Sequence, residues 1–315
     1  MDVVLLFPGQ GSQRPGMGRE LAAAFPAAAE VFAEADAALG EHLSALCFDG
    51  PADTLMLTHN AQPALLAHGM AAWAVVRDIV GARVRAAAGH SLGEFTAYAA
   101  TAALPLAGAT RLVRHRGTSM YEAGLARPGA MAAILGDTTR SIDDVCAEAS
   151  ASPEGGLVVP ANYNAPGQVV VSGEVAGVER AMDLARQAGA RRAIRLPVSG
   201  AFHSPLMSPA SESFGLALER APLVDPTVPV YANVTAEPVT SATVARRLLL
   251  EQLTAPVHWT QLVERIARDV PGALFIELGP GSVLTGLVRK IVPGAECVSC
   301  GAPVDVESLQ ERVAA

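Results

Sequence analysis

Short apolar runs alternate along the chain with longer stretches whose apolar positions recur every three or four residues, a pattern that predicts an α/β architecture. Val3–Phe7 is the first such run and stops at the turn formers Pro8-Gly9-Gln10-Gly11-Ser12. Helical periodicity predicts helices over about Gly18–Ala38 and Pro63–Ile79. A second short strand, Val84–Ala88, leads into Gly89-His90-Ser91-Leu92-Gly93, and helical patterns then fill Glu94–Ala103 and Leu106–Ala123. The middle of the chain changes rhythm. Strand Gly129–Leu135, helix Ser141–Ala149, strands Leu157–Asn164 and Gln168–Gly173, helix Glu174–Ala188 and strand Arg192–Leu196 follow one another. Strand–helix–strand–strand–helix–strand is the order of a ferredoxin-like unit. Residues 127–198 are therefore expected to form a small inserted subdomain. Residues 1–126 and 199–315 would make the large α/β domain with a parallel sheet, Val228–Asn233 and Ala273–Glu277 supplying its later strands.

Composition narrows the class. With 315 residues and 50% apolar side chains the chain can bury a sizeable core. Aromatics are only 4%, so runs such as Ala86-Ala87-Ala88 carry much of that apolar content, and no run of about 18 uncharged apolar residues predicts a membrane span. Asp2 stands where a signal peptide needs a base, which makes a soluble cytoplasmic protein the expectation. A net charge of −8 argues against nucleic acid as the main partner, since phosphate binding needs a concentrated basic surface. Cys297-Val298-Ser299-Cys300 is an isolated CxxC without two further ligands at zinc spacing, so no metal site is expected and the pair reads as ordinary thiols on or beside a strand.

Chemistry begins at Gly89-His90-Ser91-Leu92-Gly93, which fits G-x-S-x-G between a predicted strand and a predicted helix. A sharp turn there lifts a serine hydroxyl clear of the backbone, and the amides at the start of the helix favour a developing oxyanion. A tight turn with a capping serine is the plain alternative. A serine nucleophile needs a base, and seven histidines are available. His90 adjoins Ser91, and neighbouring side chains on such a turn point apart. His203 lies in a loop of turn formers, Ser199-Gly200-Ala201-Phe202-His203-Ser204-Pro205, and is the leading candidate, with a structural histidine as the alternative.

Several segments together carry a resemblance. Phe7-Pro8-Gly9-Gln10-Gly11-Ser12-Gln13, Gln62-Pro63-Ala64, Gly89-His90-Ser91-Leu92-Gly93-Glu94 and Arg116-Gly117 resemble motifs of the malonyl-CoA:acyl carrier protein transacylase family. So do Asn162-Tyr163-Asn164-Ala165-Pro166-Gly167-Gln168, Phe202-His203-Ser204-Pro205-Leu206-Met207, Pro256-Val257-His258-Trp259 and Glu277-Leu278-Gly279-Pro280-Gly281, in family order from about residue 3 to 290. The resemblance implies a hydrolase-like α/β core with a ferredoxin-like insert. It also implies ping-pong transfer of malonyl from malonyl-CoA to the phosphopantetheine thiol of an acyl carrier protein, with no cofactor beyond the CoA thioester itself and a monomer as the expected state.

Roles follow from that resemblance residue by residue. Ser91 would carry the acyl ester and His203 would be its base, oriented by a backbone carbonyl that matches His258. Amides of Gln10 and Leu92 would form the oxyanion hole. Arg116 would grip the malonyl carboxylate, with Gln62, Phe202 and Met120 lining the pocket. On sequence alone Arg111, Arg114 and Arg116 look like one solvated helix face. Docking of an acidic carrier protein would fall to Arg289 and Lys290, or to Arg191 and Arg192. A thioesterase or esterase would share Ser91 and His203 without needing Arg116, and a non-catalytic docking module would lack the pair. Nucleotide binding is weaker still, because Gly9-Gln10-Gly11 and Gly279-Pro280-Gly281 lack a third glycine.

Overall fold

The computed structural model describes residues 1–153, 155–198 and 200–314; Ser199, the first residue assigned above to the second large-domain segment, and Ala315, its last, lie outside the described residues. Its strands are β1 (Val3–Phe7), β2 (Val84–Gly89), β3 (Ala130–Leu135), β4 (Val158–Ala165), β5 (Gln168–Gly173), β6 (Arg192–Arg195), β7 (Val230–Tyr231), β8 (Pro238–Val239), β9 (Leu274–Leu278) and β10 (Cys297–Cys300). Six of them form a mixed sheet in the order β10-β9-β1-β2-β7-β8, parallel throughout except for the two-residue edge pair β7–β8.

β1 is apolar at all five positions because both faces of the sheet are covered. Successive side chains alternate, so Val3, Leu5 and Phe7 join the core beneath the helices Pro26–Leu39 and Thr58–Val80, while Val4 and Leu6 join Trp259, Leu262 and Val288 on the other side. Each of these buried side chains gains roughly 1.5–3 kcal/mol over exposure.

Strands β3 to β6 form a second, all-antiparallel sheet in the order β4-β5-β3-β6. One face, with Ala130, Ala132 and Ile134, packs on the helices Ile142–Ala151 and Val175–Gln187. Met131, on the other face, meets Ala161, Val170 and Phe202.

Two helices depart from the sequence pattern. The helix expected over Gly18–Ala38 breaks into Arg19–Ala24 and Pro26–Leu39, because Pro26 forces Phe25 into extended backbone (φ −128°, ψ 116°). The helix expected from Pro63 starts at Thr58 and runs to Val80, with Pro63 inside it. That helix is long and apolar enough to cross a membrane by length and composition, which the sequence pattern did not suggest; most of the relevant stretch is packed inside the protein.

Candidate active site

The carboxyl ends of β1, β2 and β7 lie side by side, the position where open parallel sheets collect ligand-binding loops. Ser91 joins β2 to the helix Leu92–Ala100 with a left-handed φ of 50° and ψ of −104°, a conformation costly for a residue with a side chain. The turn fits only because its flanks are glycine. A Cβ on Gly93 would lie 2.0 Å from Phe7 O, and one on Gly89 would lie 2.0 Å from the Gly93 carbonyl carbon. Two side-chain amides hold the strained residue in place: Ser91 N–H donates to Asn233 Oδ1 (2.6 Å), and Gln252 Nε2 donates to Ser91 O (3.1 Å). Asn233 Nδ2 also donates to Gly89 O (2.8 Å).

His203 Nε2 stands 2.8 Å from Ser91 Oγ, and His203 Nδ1 stands 2.9 Å from the carbonyl oxygen of Gln252. A carbonyl can only accept, so Nδ1 carries the hydrogen and Nε2 presents its lone pair to the serine hydroxyl. Burial, and then the charge of Arg116, push the His203 pKa down to about 3, which keeps the ring neutral and able to take a proton. The carbonyl facing the ring corrects one expectation. His258 does not orient His203: its N–H donates to Asn233 O, its carbonyl accepts from Leu262, and its ring stacks on Tyr163. The acceptor is Gln252, six residues earlier, at the end of the helix Ala242–Glu251.

Arg116 is wholly buried and not part of a solvated stripe. Its Nη1 donates to Gln62 Oε1 (2.8 Å); its Nη2 donates to Gln252 Oε1 (2.8 Å) and to Ser91 Oγ (3.2 Å). The guanidinium also lies 5.2 Å from the centroid of the Phe95 ring. Among the described residues no carboxylate comes within ion-pair distance, so a full positive charge sits in the interior against neutral amide oxygens. Burial lowers its pKa to about 10, with Glu94 pulling the other way, and the group stays charged at neutral pH. Gln62 Nε2 reaches Gln10 Oε1 (3.3 Å) and Met120 Sδ (3.5 Å), and Thr58 Oγ1 donates to the same Gln10 oxygen (2.7 Å).

A cavity of about 260 Å³ opens onto Ser91 and His203, walled by Gln10, Met120, Met131 and Phe202, and a second of about 150 Å³ adjoins it. Among the described residues the Gln10 and Leu92 amides donate to no other protein group. His90 turns away, its Nε2 2.8 Å from Asn164 Oδ1 and its ring beside Trp259. The proposed docking cations regroup. Arg191, Arg192 and Lys290, from two different segments, border one shallow depression, whereas Arg289 donates to Cys297 O and does not face it. Glu277, quoted above within a motif, caps a helix: its oxygens accept from Leu284 N, Thr285 N and Thr285 Oγ1.

Three residues at the site escaped sequence reasoning. Asn233 is expected as the last residue of a strand, where a polar side chain carries no signal of its own; the strand in fact stops at Tyr231. Gln252 looks like an ordinary helix terminus. Glu94, quoted only within the serine motif, is 1% exposed and accepts from Asn233 N (3.0 Å) and Gln252 Nε2 (2.7 Å).

Comparison with known proteins agrees with this geometry. Residues 4–302 match the acyl transferase domain family. The malonyl CoA-acyl carrier protein transacylase of Bacillus subtilis is 44% identical over 306 residues, covering 97% of this chain and 95% of its own. Among solved structures, the acyl-carrier-protein S-malonyltransferase of Bartonella henselae superposes with a TM-score of 0.94 at 40% identity, covering all of both chains. A malonyl-transacylase solved in complex with its type II polyketide acyl carrier protein reaches 0.93 at 41% identity, covering 99% of this chain and 100% of its own. With a serine turn, a neutral histidine and a buried arginine in one cluster, and likeness of this extent along almost its whole length, the chain belongs to the malonyl-CoA:acyl carrier protein transacylase family of acyl transferase domains.

Proposed function

We propose that this acyltransferase moves malonyl from malonyl-CoA to the phosphopantetheine thiol of an acyl carrier protein through an ester on Ser91. The observation that carries the substrate is Arg116. A buried cation that lacks a carboxylate and reaches to 3.2 Å from the nucleophile is a receptor for an acyl group bearing its own carboxylate. Malonate oxygens would replace the neutral amides of Gln62 and Gln252 and form stronger, charge-assisted bonds.

His203 Nε2 takes the Ser91 proton as Oγ attacks the thioester carbon, and the oxyanion settles on the Gln10 and Leu92 amides. As the tetrahedral adduct collapses, the C–S bond breaks and the imidazolium returns its proton to the CoA sulfur. The carrier thiol then repeats the sequence in reverse order. A thioester becomes an ester and then a thioester again, so neither ATP nor a metal is called for. An acetyl group would leave Arg116 unpaired, which disfavours it.

Arg191, Arg192 and Lys290 suit an acidic carrier protein, whose phosphopantetheine would enter the cavity past Met120 and Phe202. We read residues 1–126 and 199–315 as a hydrolase-like unit, 127–198 as a ferredoxin-like insert, and the protein as a cytoplasmic monomer. The test is intact mass after incubation with malonyl-CoA or acetyl-CoA, followed by addition of carrier protein. Malonyl mass gained and then lost to the carrier is the expected result; water-driven loss without transfer would make the protein a hydrolase.

A further inference from the structure

Arg116 needs an internal counter-charge while no substrate is bound, and the nearest carboxylate reaches it through one side chain. Arg116 Nη2 donates to Gln252 Oε1 (2.8 Å), and Gln252 Nε2 donates to Glu94 Oε2 (2.7 Å). The Gln252 amide thus lies with its oxygen toward the cation and its nitrogen toward the anion, an alignment in which each end strengthens the other. Both bonds that Glu94 Oε2 accepts come from N–H donors, Asn233 N and Gln252 Nε2, as a carboxylate requires. Glu94 Oε1 is buried without a hydrogen-bond partner among the described residues, so the carboxylate is held on one oxygen only.

We propose that Glu94 is a specificity-setting positioning residue: it acts through Gln252 as the resident counter-ion of Arg116 and weakens the grip of that arginine on the malonyl carboxylate. The assignment rests on Ser91 accepting malonyl. An arginine without an opposing charge would hold a buried malonyl carboxylate too tightly for efficient passage to a second thiol. With Glu94 in place the incoming carboxylate has to displace the Gln252 amide that Glu94 holds against the cation. Acetyl, which has no carboxylate, should not respond to Glu94 in this way.

The charged and titratable groups around Glu94 are few. Arg116 faces it from the helix Leu106–Ala126, and Tyr98 lies one turn along its own helix; Asn233 and Gln252, from the two remaining elements, are neutral. Burial raises the Glu94 carboxyl to about 7 against the opposing pull of its hydrogen bonds and of Arg116.

Glu94→Gln is the informative variant, because its amide oxygen can accept both existing bonds while the charge disappears. Single-turnover acylation is measured by mass over a range of malonyl-CoA and acetyl-CoA concentrations. The half-saturating malonyl-CoA concentration should fall several-fold, the acetyl-CoA value should stay within about twofold, and the thermal midpoint should stay near that of the wild type. Equal changes for both donors, or none, would make Glu94 purely structural and overturn the proposal. If E94Q does not fold, the wild-type enzyme supplies a second measurement with a pH indicator near pH 7. A second anion beside Arg116 should draw a proton onto Glu94, so stoichiometric malonyl loading should take up more protons than acetyl loading; equal uptake overturns the proposal. A wild-type protein that gains no malonyl mass overturns the function and this proposal together, whereas normal loading without the Glu94 effect overturns only the latter.

Discussion

Around Ser91 the four side chains that touch it (Arg116, His203, Asn233 and Gln252) are buried and hydrogen-bonded, whereas Arg191, Arg192 and Lys290 stand in solvent around their depression and, among the described residues, form no ion pair. Both regions present positive charge, but the medium differs. Inside, water cannot reorganise around the guanidinium, so one misplaced group costs several bonds at once. Outside, the Debye length of about 8 Å at physiological salt leaves each cation a modest share of attraction. On the function proposed above this amounts to a division of labour: the buried cluster would decide the identity of the acyl group, and the exposed cations the speed of encounter with the protein partner.

Substitutions can break or sharpen that division. The largest effect is expected from Ser91→Ala, which should abolish the acyl adduct in intact-mass spectra while leaving the circular dichroism and thermal midpoint unchanged. Any malonyl gain on that variant would falsify the nucleophile. His203→Ala should slow acylation by roughly 10²–10⁴-fold in rapid-quench measurements, the range for a lost general base. An unchanged rate would move the base elsewhere.

Arg116→Ala should reduce malonyl loading by roughly 10²-fold or more, the worth of two charge-assisted hydrogen bonds, and acetyl loading far less. Equal losses would show that the arginine supports the helix and that selectivity lies in cavity shape. The smallest effect belongs to the exposed region. Reversing charge at Arg191, Arg192 and Lys290 should slow the carrier-protein half-reaction several-fold at low salt and flatten its salt dependence, with acylation by malonyl-CoA nearly unchanged. If both half-reactions slow together, the depression is part of the folded scaffold and the division fails.

Much of the fold was legible because its strands are short and mostly built around apolar runs. Val3–Phe7 and Gln168–Gly173 fall where their patterns placed them, and the strand–turn–helix around Ser91 follows from Gly89 and Gly93. Pro26 carried enough information to predict the break at Phe25, but helical periodicity on both sides outweighed it. The site was legible only in part. Arg114 and Arg116 are two residues apart, about 200° around a helix, so they occupy opposite faces. Arg114 pairs with Glu41 at 2.8 Å near the surface, while Arg116 points inward, and a stripe of arginines in the sequence hides that difference. The orienting carbonyl was not legible at all. Every residue has one, and which carbonyl faces His203 is settled by how the helix Ala242–Glu251 ends. Likewise, Lys290 meets Arg191 and Arg192 only because the chain returns to the small sheet roughly a hundred residues later.

His203 leans on the Gln252 carbonyl and not on a carboxylate. A carboxylate would stabilise the imidazolium by a full charge and raise the ring's proton affinity; a carbonyl offers only a dipole, so the ring keeps a low proton affinity and gives up readily whatever proton it takes. Whichever thiol fills the cavity next, CoA or carrier, would meet the same weakly basic proton carrier, and, as with any catalyst, the two malonyl thioester pools would be brought toward their own equilibrium. Net flow is then fixed by whatever consumes the loaded carrier, and an enzyme downstream could reverse the traffic without any change in this one.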